Sequence, residues 1–80
     1  MNINYDILQN LLRCNKNLKL KFRGDSNILD VLLYTEVILT LELESTDLTK
    51  YSELIYKSII NLEGITIYIP KIYIKQNQNK

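Results

Sequence analysis

Eighty residues with a formal net charge of +1, no His, one Cys and two Gly exclude most of the side-chain chemistry that runs near neutral pH. Without His, the lone Cys14 has no base to activate it as a nucleophile, and one Cys cannot build a structural zinc site. The length holds one domain, 1–80, and the 46% apolar share, drawn mainly from Ile, Leu and Tyr, supplies large side chains for its core.

The first element expected is a short helix over Asn4–Asn15. Asn2 or Asn4 stands at the N-cap, Asp6 in the first turn and Arg13 near the end, each suited to the helix macrodipole. Ile7, Leu8, Leu11 and Leu12 form its apolar stripe, with Tyr5 able to join them. Asn15–Lys16–Asn17 then reads as a polar break.

Leu18–Arg23 alternates strictly. Leu18, Leu20 and Phe22 point one way and Lys19, Lys21 and Arg23 the other, the pattern of a half-buried strand. Gly24–Asp25–Ser26–Asn27 supplies the residues of a four-residue hairpin loop. Ile28–Tyr34 is apolar on both faces, which does not separate strand from helix. The hairpin before it and the strand after it favour a strand.

Glu36–Glu44 alternates again, with Val37, Leu39, Leu41 and Leu43 expected on one face and Glu36, Ile38, Thr40, Glu42 and Glu44 on the other. Antiparallel pairing, direct or one strand removed, would bring Glu42 and Glu44 towards Lys19 and Lys21. Ser45–Thr46–Asp47 opens a second helix running to about Leu62. Leu48, Tyr51, Ile55, Ile59 and Leu62 give its stripe, Glu53 and Lys57 an i,i+4 pair, and Gly64 a left-handed C-cap.

Ile65–Lys75 reads as a last strand. Ile65, Ile67 and Ile69 are in phase, and Ile72 and Ile74 take the opposite phase after Pro70, which predicts a bulge or kink on an edge strand. Gln76–Lys80 is a polar, frayed tail. The expected fold is therefore α+β in the order α-β-β-β-α-β: an antiparallel sheet of about four strands with two helices on one face.

The charges fall in blocks. Arg13–Arg23 holds five basic residues and no acid, whereas Asp25–Glu53 holds seven acids against Lys50 alone. The simplest role for this pattern is pairing between neighbouring strands, and the sharper one is a dipolar surface that steers a charged partner. The opening MNINYDILQN has no basic n-region or long apolar h-region, and no stretch nears the ~20 apolar residues that span a bilayer. With a single Cys, this makes the cytoplasm the expected compartment, that of a host cell if the chain is phage-encoded.

Asp25, Asp30 and Glu36 lack the spacing of a cation loop. Neither glycine belongs to a phosphate-binding motif. No catalytic residue, cofactor or metal is expected, which leaves binding to another protein or to a protein–nucleic acid complex. An apolar edge over Ile65–Ile74 could accept another strand, and tyrosines suit interface anchors.

The concrete form of this reading is a phage or mobile-element inhibitor of a host defence complex, anti-CRISPR-like, acting by occupying a surface. Its partner-binding residues would be Glu36, Glu42, Glu44, Tyr68 and Tyr73. Carboxylates on alternate strand residues, ~6.6 to 6.8 Å apart, mimic the phosphates of a single strand.

Two alternatives stand beside it. One is a single-stranded nucleic-acid-binding protein using Lys19, Lys21, Arg23, Tyr73 and Lys75, although binders of this size usually carry a larger basic excess. The other is a homodimeric structural subunit paired through the last strand.

Overall fold

The computed structural model describes residues 5–70, which form two helices and a three-stranded antiparallel sheet. Helix α1 spans Tyr5–Cys14, with Asp6 in its first turn and Arg13 in its last. Ile7, Leu8 and Leu11 are its buried residues, three of the stripe read from sequence. Asn15 closes it: the Asn15 N–H donates to the Leu12 carbonyl at 3.2 Å, and Nδ2 donates to the Leu11 carbonyl at 2.6 Å. Two carbonyls that the helix end would leave bare are thereby satisfied.

Strands β1 (Leu18–Phe22) and β2 (Ile28–Leu33) pair with Leu18 opposite Leu33 and Phe22 opposite Leu29. Their loop is Gly24–Asn27, as its turn residues predict. Gly24 takes φ 56, a left-handed conformation that glycine adopts without steric cost. Ser26 fixes the turn by donating its hydroxyl to the Arg23 carbonyl and accepting the Ile28 N–H. The ambiguous segment is thus a strand, with Leu29 and Val31 buried in the core.

Strand β3 (Glu36–Glu42) follows after the two-residue loop Tyr34–Thr35. Its register departs from strict alternation. Leu41 pairs with Leu29 and Leu39 with Val31, but Val37 pairs with Leu32, so Ile38 is the extra residue of a bulge. Val37 therefore leaves the face it was expected to share with Leu39 and Leu41, and is 47% exposed, while Ile38 packs against the core. A single inserted residue inverts the phase of everything before it.

Helix α2 spans Ser52–Ile60, shorter at both ends than the expected Ser45 to Leu62. Asp47 still organises its approach, its carboxylate accepting the Thr49 N–H at 3.1 Å and its carbonyl the Lys50 N–H at 3.1 Å. These bonds close turns over 48–51 rather than a helical turn. Glu53 and Lys57 pair at 2.9 Å as their spacing predicts. Tyr56 joins Ile55 and Ile59 in the core, and Leu54 faces solvent.

The fourth strand expected over Ile65–Lys75 does not form across 65–70, and the rest of it lies outside the described residues. The Asn15 side chain stands in for a neighbouring strand there. It accepts the Tyr68 N–H at 2.9 Å and donates to the Tyr68 carbonyl at 2.8 Å, and Pro70 has no N–H to offer a ladder. Ile67 packs on the core from this segment. One cluster, with Leu8 and Leu11 from α1, Leu18, Leu29 and Val31 from the sheet, and Ile55, Tyr56 and Ile59 from α2, joins both helices to one face of the sheet. None of the described elements packs on the other face.

Candidate functional site

The open face can be read row by row from the register. Lys19, Leu32 and Val37 form one row, Lys21, Asp30 and Thr40 the next, and Arg23, Ile28 and Glu42 the last. The central row and Arg23 make a polar network. The Arg23 guanidinium donates from a terminal nitrogen to Asp30 Oδ1 at 2.8 Å and from Nε to Oδ2 at 3.2 Å, and the Thr40 hydroxyl donates to Oδ1 at 3.0 Å.

The Asp30 side chain is only 13% exposed against 56% for Arg23. Hydrogen bonding from Arg23 holds the Asp30 carboxyl below its ordinary value against the opposing effect of desolvation, with help from Thr40 and the charges of Arg23 and Lys21. The same pair raises Arg23. A fork-to-carboxylate arrangement of this kind fixes orientation as well as charge. Arg23 is therefore committed inside the sheet, whereas Lys19 and Lys21 stand exposed along β1.

At the Tyr34–Thr35 end, the row Lys19–Leu32–Val37 places two apolar side chains next to each other on the uncovered face. Alternation across β2 explains Leu32, since Leu29 and Val31 take the core positions. The bulge explains Val37.

The expected carboxylate row is divided by the same bulge. Glu36 sits opposite Leu33 beside the loop, out of phase with Glu42, and Glu44 lies beyond the end of β3. The Glu44 backbone is tied down, its N–H donating to the Tyr51 hydroxyl at 3.1 Å and its carbonyl accepting from Asn27 at 3.3 Å. Tyr68 lies against Asn15 at the α1–β1 turn. Tyr73 and Lys75 lie outside the described residues. The carboxylate facing the basic strand is Asp30, with β2 between β1 and β3.

The residues missed from sequence are Asp30, Leu32, Val37 and Tyr34. Strand periodicity across Ile28–Tyr34 would have paired Asp30 with the basic row and turned Leu32 outward. Nothing local marks Val37, because its position depends on the bulge.

Among the described residues, no three Cys, Asp or Glu side chains come together as metal ligands, and no helix is long and apolar enough to cross a membrane. Among the described residues, the fold and this surface define a two-layer α+β arrangement with one sheet face uncovered. Comparison with protein-family models, curated proteins and solved structures finds no match for the chain.

Proposed function

We propose that this protein is a non-catalytic binding module that covers part of another protein's surface with the open face of its sheet. The observation that carries this reading is the Leu32–Val37 pair, set by the register of three strands at the loop end of a sheet face that none of the described elements covers. An exposed apolar patch bordered by polar and charged residues is a common feature of protein interfaces. The rim is basic on the β1 side, at Lys19 and Lys21, and acidic at the Glu42 corner. It suits a partner with an apolar patch flanked by carboxylates facing β1.

The most concrete form is an anti-CRISPR-like inhibitor that occupies a host defence complex, in keeping with a small chain that has no His and a single Cys. The test is capture from lysate of the source cells after nuclease treatment, using wild type and Val37→Glu in parallel. The reading requires a defined protein retained by wild type and lost with Val37→Glu. Equal retention by both moves the interface off this face, and loss of all capture after nuclease points to a nucleic-acid partner.

A further inference from the structure

A second surface lies at the Tyr34–Thr35 end of the sheet, where a groove of about 400 Å³ runs between the α1–β1 turn, the β2–β3 loop and residues 64–66. That volume is within the range that small ligands fill. Tyr34, Lys16, Asn17 and Thr66 line it, and no carboxylate does.

Tyr34 is the unusual member. Its φ of 61 is the one positive value at a non-glycine residue among the described residues, at the first position of a two-residue loop, where Gly is the ordinary choice. A bulky side chain held in left-handed backbone costs free energy, and such residues cluster at binding sites. The core does not use the ring, which is 68% exposed. The loop is nonetheless fixed in place, because the Tyr34 N–H donates to the Asn17 carbonyl at 2.8 Å.

We propose that this groove binds a nucleotide unit, with the base stacked on Tyr34, its edge read by the Asn17 amide and the phosphate met by Lys16. An aromatic face with a cation and an amide, and no acid between them, fits a planar ligand that carries negative charge. The amide offers both donor and acceptor to a base edge. The C-terminal end of α1 would oppose an anion through its bare carbonyls. Those of Leu11 and Leu12 are already bonded by Asn15, and Lys16 is the one lysine, arginine or carboxylate residue lining the groove.

The experiment is a heteronuclear NMR titration of the full chain with AMP, with ribose 5-phosphate and with a short oligodeoxyadenylate. The site predicts saturable shifts at Asn17, Tyr34 and Gly64. Ribose 5-phosphate should bind about tenfold more weakly or worse, since stacking on an aromatic contributes about 1–3 kcal/mol per base. Saturation by AMP identifies a free nucleotide as sufficient. Saturation by the oligonucleotide alone identifies a single strand as the source.

Tyr34→Asn suits left-handed backbone, so it should melt no lower than wild type and yet bind about tenfold more weakly, while Tyr34→Phe retains binding. Lys16→Gln should weaken binding and flatten its salt dependence. No saturable shift with AMP or the oligonucleotide, or undiminished binding by Tyr34→Asn, overturns the proposal.

Discussion

Two side chains on this small domain each do work that several residues usually share. Asn15 caps α1 with one amide hydrogen and pins the Tyr68 backbone with the other hydrogen and its oxygen. Asn15→Ala should therefore lower stability by about 1–3 kcal/mol, the net worth of a few such bonds. Hydrogen exchange should show the Tyr68 amide losing its protection first. Asp30 plays the corresponding part on the open face. A carboxylate whose folded-state pKa lies below its unfolded value contributes its stability in full above the unfolded value, and loses it as pH falls through the folded one. The ordinary value for Asp30 is 3.8 and folding lowers it, so this contribution disappears on acidification below pH 3.8. Asp30→Asn should flatten the acid limb of a stability–pH profile in that window and leave its shape near neutrality unchanged.

At the scale of elements, the bulge in β3 decides which side chains the open face presents. Ile38 is the extra residue, so its deletion leaves Val37 opposite Leu32 and Leu39 opposite Val31 in a regular ladder. The shortened protein should fold, lose the part of its core that Ile38 supplied, and keep a cross-strand nuclear Overhauser contact between Leu32 and Val37. A register slip in that variant, seen as Val37 contacts with core residues, would show that the loop and not the strand pairing sets the phase. The two outer strands also carry protection against unwanted pairing. Exposed lysines line β1 and the bulge interrupts β3, both recognised ways of blunting a sheet edge.

At the scale of the whole molecule, one core serves both helices and the sheet, so damage to any part of it is felt throughout. At roughly 0.05–0.15 kcal/mol per residue, a domain of this size has a total stability of about 4–12 kcal/mol. Leu8→Ala, at a fully buried site where α1 meets the rest, should cost about 2–5 kcal/mol and leave a substantial unfolded fraction in chemical denaturation. Val37→Glu on the exposed face should change stability by no more than about 0.5 kcal/mol. That contrast lets a loss of partner binding by Val37→Glu be read as loss of interface and not of fold.

Much of the architecture was legible because local periodicity carries it. The apolar stripe of α1, the alternation of Leu18–Arg23, the Gly24–Asn27 turn and the Glu53–Lys57 pair all lie within a few residues of one another in the chain. The basic face of β1 was legible for the same reason. The features that shape the candidate sites were not, because each depends on residues far apart in sequence. The pairing of Val37 with Leu32 needs the bulge, and the bonds that hold the Tyr68 backbone come from the Asn15 amide fifty-three positions away. The strain at Tyr34 needs two strands meeting across a two-residue loop. Sequence by itself determined which segments turn, coil or extend, since those choices follow from neighbouring side chains. The tertiary structure alone decided which faces those segments present and what they enclose, since register is set only when distant strands meet.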